Sequence, residues 1–236
     1  MRNAGFLLCC TLFLATFGAR DAVAAVRNDP NADYRPGFGA SDLPPKGRPF
    51  VLPAGVSIVQ PIPGINMFEW EKCRNEDDGD NPPQEHGSGD SVQLCLEFRN
   101  TTGKPVTVDF PPGMIMESET TDTQNGMLVQ RASIVVPAKS VHYSLLYMYC
   151  LNAPRGVSGP ASRYRLGPVT EEKDFVELFE LLKNKRIPAK LWDQPTNAAG
   201  AMFPANTMLQ TAVSHLTSDK GLSAEDRKFI AALPNK

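Results

Sequence analysis

Cysteine is the residue type in this chain with the clearest chemical consequence. The 236-residue sequence has five cysteines, and two of them, Cys9 and Cys10, lie in an apolar N-terminal run that we expect to be removed. Three then remain: Cys73, Cys95 and Cys150. An odd number leaves one thiol outside any single intramolecular disulfide. In an oxidising compartment that thiol is free, paired with another molecule or used chemically.

A disulfide between Cys73 and Cys95 is the pairing that we favour. It would close a loop of about 20 residues and restrict the unfolded chain by on the order of 3 kcal/mol. Cys95 is predicted on the polar face of a strand, from which it can reach a partner outside the core. The pairs Cys95–Cys150 and Cys73–Cys150 remain open, because spacing alone does not decide connectivity. Cys150 is the expected leftover thiol.

Acidic and soft side chains form two further candidate ligand sets. Asp77, Asp78 and Asp80 could supply the hard oxygen ligands that Ca²⁺ prefers, but they lack the spacing of an EF-hand loop. A solvated acidic loop is therefore the expectation. The strand region also holds methionines with His142 and Cys150, which are copper-ligand types. His142 and Cys150 are over about 25 Å apart if one strand carries both, so we expect no metal and no other cofactor.

Catalytic motifs are absent from the sequence. It contains no G-x-S-x-G, no H-E-x-x-H and no glycine-rich phosphate loop, and its three histidines have no partners nearby in sequence. The formal net charge of -2 exerts no overall attraction on a phosphate backbone. We therefore expect a protein that is not an enzyme and that binds no nucleic acid.

Two short motifs together resemble the Cys and Gln motifs of bacterial cell-surface thioester domains. Tyr149-Cys150-Leu151-Asn152 ends the last predicted strand of the β region, and Leu209-Gln210-Thr211-Ala212-Val213 opens a predicted helix. The resemblance implies that the Cys150 thiol condenses with the Gln210 carboxamide. In that family the resulting thioester acylates an amine on a surface. Ser214 departs from the pattern, since the family tends to carry an aromatic residue there.

The elements that must position these residues follow from composition and periodicity. Residues 1–25 have the charged start, short apolar core and small-x-small site of a secretory signal peptide, and the apolar core is too short to span a membrane. Residues 26–47 are rich in Pro, Gly and Asn and predict an extended N-terminal linker. Short alternating runs predict strands over 48–153, and apolar residues at helical spacing predict helices within 154–236.

Strands followed by helices indicate an α+β fold. We expect an antiparallel β-sandwich or open β-barrel domain, followed by a C-terminal helical cap packed on the sheet. The clearest predicted hairpin joins the runs 92–98 and 106–110.

These features favour a secreted or extracytoplasmic protein of the periplasm or cell surface. Its expected function is that of a non-catalytic binding or structural module with a protein or cell-surface partner. The alternative is a thioester adhesin-like domain that acylates surface amines through Cys150 and Gln210. The sequence leaves the oligomeric state open.

Overall fold

Strands precede helices along the chain, as the periodicity predicts. The computed structural model describes residues 34–66, 69–74, 83–189 and 204–236. Within these residues the strands are β1 (Val56–Ile58), β2 (Ile62–Ile65), β3 (Gln84–Gly87), β4 (Val92–Asn100), β5 (Val106–Phe110), β6 (Met114–Ser118), β7 (Gly126–Met127), β8 (Ala132–Val136), β9 (Ser140–Cys150) and β10 (Arg163–Val169). The helices are α1 (Lys173–Leu182), α2 (Ala205–Thr217) and α3 (Ala224–Ala232). None of these helices has the length and apolar content needed to cross a bilayer.

Six strands form a closed antiparallel barrel. They follow the order β4, β2, β10, β6, β7 and β9, and the pairing of β9 with β4 closes the ring. β1 extends the sheet beside β4, and β3 runs parallel to β9. β5 and β8 pair with each other in a separate two-stranded sheet. The α+β prediction is confirmed, with a barrel that is closed rather than open.

The predicted hairpin between residues 92–98 and 106–110 is wrong. β4 pairs with β9 along its whole length, whereas β5 pairs with β8. Asn100, at the end of β4, accounts for the change of partner. Its side-chain amide donates to the carbonyls of Lys104 at 3.0 Å, Val136 at 3.1 Å and Pro137 at 2.9 Å. These bonds tie the turn after β4 to the end of β8, so β5 continues alongside β8.

Two apolar clusters lie on opposite sides of the barrel wall. The first fills the barrel interior, and the second lies between the barrel and the helices. At the end of β9 and just beyond it, successive residues alternate between the two clusters: Met148 and Cys150 belong to the interior cluster, and Tyr149 and Leu151 to the helical one. The helices bury their apolar stripes in this second cluster.

The predicted linker 26–47 contains residues that pack. Phe38 is 1% exposed and stacks on Phe175 of α1 with 5.3 Å between ring centroids. Phe38 therefore brings this segment into the cluster between barrel and helices.

A strand also lies in the segment 154–236 that was assigned to the helical cap. β10 fills the barrel between β2 and β6. Its alternation is interrupted at Gly167-Pro168, where the pairing with β6 shifts register. Because of this interruption, β10 lacks the regular alternation of apolar and polar residues from which a strand is predicted.

Candidate functional site

Cys150 and Gln210 meet at the last residue of β9. The β4–β9 ladder ends at the Val92–Met148 pair, two residues earlier. Beyond it, Gln210 Oε1 accepts a hydrogen bond from the Cys150 backbone N–H at 2.8 Å, and Gln210 Nε2 donates to the Cys150 carbonyl at 3.1 Å. The carboxamide thus takes the place that a peptide group of a neighbouring strand would occupy. We call this pair of bonds the β9 junction.

The sequence of α2 places Gln210 at the edge of the buried helix face. Leu209, Ala212 and Val213 are buried against the barrel, whereas Gln210 is half-buried. Ser214, one turn later, donates from Oγ to the Gln210 carbonyl at 2.8 Å and lies 3.5 Å from Gln210 Nε2. A small polar residue at this position therefore supports the carboxamide.

The Cys150 thiol lies on the barrel side of the same residue. Burial raises the pKa of Cys150 to about 11, and the negative charge of Asp90 also raises it, against hydrogen bonds with Ser91 and Gln124 that lower it. The thiol is therefore protonated at neutral pH. A protonated thiol is a poor nucleophile.

Cys73 and Cys95 are joined by a disulfide, the pairing favoured from the sequence, with 5.4 Å between their Cα atoms. Cys150 is the leftover thiol. Both bridged cysteines are buried on the outer face of the barrel with Ile65 and Leu145. The disulfide links the turn that ends at Cys73 to the middle of β4.

Aromatic side chains pack on this disulfide cluster. Trp70, Tyr143 and Tyr147 are half-buried against it, and we call these three residues the aromatic surface. Trp70 begins a short 3-10 turn immediately before Cys73, so the disulfide fixes its position. The Tyr147 hydroxyl donates to Glu85 Oε1 at 3.2 Å. Burial and the charge of Glu85 raise the pKa of Tyr147 above its ordinary value.

A contact between His215 and Asp226 is not evident from the sequence. His215 Nδ1 lies 2.7 Å from Asp226 Oδ2 and joins α2 to α3. Asp226 also forms a capping box with Ser223 at the start of α3. Burial raises the pKa of Asp226, but the hydrogen bonds with His215 and Ser223 outweigh it, so the net shift is downward. The Ser-x-x-Asp pattern marks the capping box, whereas no local signal marks the histidine.

The remaining candidates are Asp77, Asp78, Asp80 and His142. Asp77, Asp78 and Asp80 lie outside the described residues. His142 Nε2 lies 3.2 Å from Ser144 Oγ on β9. Burial, together with the charge of His142, lowers the pKa of His86. In the described ranges, no group of three or more His, Cys, Asp or Glu side chains is placed to hold a metal ion.

In comparisons with known proteins, no family model, curated protein or solved structure matches the chain. The resemblance to thioester domains continues to depend on the two short motifs around Cys150 and Gln210. Function must therefore be argued from the geometry of the described residues.

Proposed function

We propose that the protein is an exported, non-catalytic binding module of the cell envelope or surface, and that it contacts a protein or cell-surface partner through the aromatic surface. The observation that carries this proposal is the packing of three half-buried aromatic side chains on a disulfide-linked outer face of the barrel. Tyr and Trp are enriched at interfaces because they offer large apolar area together with a polar group. The disulfide also supports export, since such bonds persist in oxidising compartments.

The β9 junction supports a structural role for Gln210 in this module. Its carboxamide satisfies both backbone groups of Cys150, and its helix packs on the barrel. The protonated thiol of Cys150 fits the same role, because a buried free cysteine commonly packs as a small apolar residue.

Cross-linking on intact envelopes tests the binding proposal. Trp70→Ala and Tyr143→Ala should each reduce the yield of a specific cross-linked species by about tenfold, the size of effect expected at a binding hot spot. Val176→Ala is the matched control, because Val176 is an exposed apolar residue of α1 at 47% exposure. Equal yields from all three variants and the wild type would contradict the proposal.

A thioester between Cys150 and Gln210 is the second candidate function. The observation that favours it is the 2.8 Å bond that places the Gln210 carboxamide at the Cys150 backbone. Formation would require Sγ to turn from the barrel interior and attack Cδ of Gln210. The S–C bond forms, the C–N bond breaks, and ammonia leaves with the thiol proton. A surface amine would then attack the same carbon, forming an amide and releasing the thiol.

Methylamine treatment followed by peptide mapping tests this second candidate. A thioester predicts methylamine incorporation at Gln210 with release of a free thiol, and Cys150→Ala should abolish the incorporation. A Gln210 peptide without methylamine in the wild-type protein would contradict it. The result is independent of the envelope cross-linking, so each candidate can fail alone.

A further inference from the structure

Residues 34–45, which we call the N-terminal segment, fold as a compact loop through their own contacts. The Phe38 N–H donates to the Arg35 carbonyl at 3.0 Å and forms a turn. Gly37 has a φ of 84°, and a side chain at this position would collide with Pro45, which packs against it. The segment therefore presents a defined shape to the surface on which it lies.

The main chain of the N-terminal segment is bound by groups from far along the sequence. The Asn152 side chain donates to the carbonyls of Gly37 and Gly39, each at 3.1 Å. Asn125 Nδ2 donates to the Gly37 carbonyl at 3.2 Å, and the Gly39 N–H donates to the Leu151 carbonyl at 2.8 Å. Main-chain hydrogen bonds of this kind give a bound peptide its affinity, while pockets for its side chains give specificity.

Two side chains of the N-terminal segment supply that specificity. Phe38 is 1% exposed and stacks on Phe175, with 5.3 Å between ring centroids. The Arg35 guanidinium lies 5.4 Å from the centre of the Phe38 ring and 5.8 Å from that of Phe175. Arg35 also forms ion pairs with Asp219 at 2.9 Å and with Glu172 at 3.2 Å. The surface thus recognises a cation and an aromatic ring three positions apart on a peptide.

The connection between the N-terminal segment and the barrel is short. It consists of Lys46 and Gly47, both exposed. The next residue, Arg48, pairs with Val169 at the end of β10 and so belongs to the barrel. Because the bonds that hold the segment are all noncovalent, the identical segment of another copy can make each of them.

We propose that the surface beneath the N-terminal segment is a docking groove, and that a second copy of the chain fills it with the same segment, so that two copies exchange their segments. The exchanged pair keeps the main-chain bonds, the ring stacking and the ion pairs, and only Lys46 and Gly47 change path. Exchange of an identical element is a low-cost route to a dimer. This inference goes beyond the proposed function and does not depend on the aromatic surface or on a thioester.

A fluorescent peptide with the sequence of residues 34–45 tests the groove in anisotropy titrations with the purified full chain. In the wild type the attached segment competes with the peptide at an effective concentration of about millimolar. Phe38→Ala weakens the attached segment through the loss of a buried ring. The peptide should therefore bind Phe38→Ala at least about tenfold more tightly than the wild type. Arg35→Gln keeps the ring and should shift the affinity in the same direction.

Two further variants separate docking in the groove from other causes. Asn152→Asp, added to Phe38→Ala, removes the amide donor to two carbonyls of the segment and should weaken peptide binding by about tenfold. Ile134→Ala lowers stability at a buried position of β8 outside the groove and should bind the peptide as the wild type does. Binding to the two segment variants no tighter than to Ile134→Ala, or binding unaffected by Asn152→Asp, overturns the groove.

Mixing light and isotopically heavy chains tests the exchange itself. After incubation at about millimolar concentration, native mass spectrometry should show mixed dimers of the wild type. Phe38→Ala in both preparations should lower the mixed-dimer fraction by about tenfold, because the exchanged segments lose the same buried ring. Peptide binding without mixed dimers overturns the exchange between copies, as do mixed dimers that Phe38→Ala leaves unchanged.

Discussion

Replacing Gln210 with Ala should destabilise the protein through the loss of two hydrogen bonds at the β9 junction. Each bond of this kind contributes about 0.5–1.5 kcal/mol net. Cys150 is only 7% exposed, so water replaces the lost partners of its backbone groups poorly. Ala has a higher helix propensity than Gln, and this difference offsets about 0.3 kcal/mol of the loss. We therefore expect the free energy of unfolding to fall by about 2 kcal/mol.

Urea denaturation of the purified protein measures this change, and thermal unfolding provides a second readout. For a chain of this size, 2 kcal/mol corresponds to a drop in Tm of about 4–8 °C. Thr211→Ala is the matched control, because Thr211 is exposed on the same helix and such changes fall within about 0.5 kcal/mol. Equal stability of Gln210→Ala and Thr211→Ala would refute the structural role of the carboxamide.

Gln210→Glu refines the same test without changing the shape of the side chain. A carboxylate can still accept from the Cys150 N–H, but its second oxygen faces the Cys150 carbonyl where Nε2 donates in the wild type. At neutral pH the variant should therefore be at least as unstable as Gln210→Ala. Acidification protonates the carboxyl and restores a donor, so the deficit should shrink as pH falls.

Three further changes have defined outcomes. Asp226 has a lowered pKa in the folded protein, so it stabilises the fold above its unfolded pKa, and this stabilisation is lost as pH falls through the folded value. Asp226→Asn should lower stability by about 1–2 kcal/mol at neutral pH and flatten that acid dependence in urea titrations from neutral to acid pH. Asn100→Asp removes the amide donor that Asn100 presents to three carbonyls. The free energy of unfolding, measured by urea denaturation, should fall by about 2–3 kcal/mol. A fall of less than about 0.5 kcal/mol would contradict the role of Asn100 in directing β5. Replacing both Cys73 and Cys95 with Ser should lower the free energy of unfolding by on the order of 3 kcal/mol, with unchanged stability as the contrary outcome.

Periodicity predicts the fold class because the long elements carry clear patterns. β4 alternates apolar and polar residues over most of its length, β9 does so over its first half, and α1 carries an apolar stripe. Closure of the barrel is not visible in the same way. It depends on the two-residue strand β7 and on β10, whose Gly167-Pro168 breaks the alternation. Short or interrupted strands acquire their pairing from tertiary contacts rather than from local pattern.

The sequence predicts which residues form the candidate site, but it does not predict how they contact each other. The two motifs pointed to Cys150 and Gln210, which do meet. The carboxamide can bind the backbone of Cys150 because β4 begins only at Val92, opposite Met148, and leaves Cys150 unpaired on that side. No local signal near Gln210 indicates this. The N-terminal segment was missed for a similar reason. Phe38 is an isolated aromatic residue among Gly and Pro, and its burial depends on a helix that begins more than a hundred residues later.

The intact mass of the purified protein under non-reducing conditions tests most directly whether Cys150 and Gln210 interact without a covalent bond. We predict the mass of the chain without its proposed signal peptide, less only the hydrogens lost in the Cys73–Cys95 disulfide, with Cys150 free after denaturation. A further deficit of one ammonia that disappears in Cys150→Ala would contradict this account and establish a thioester at the β9 junction.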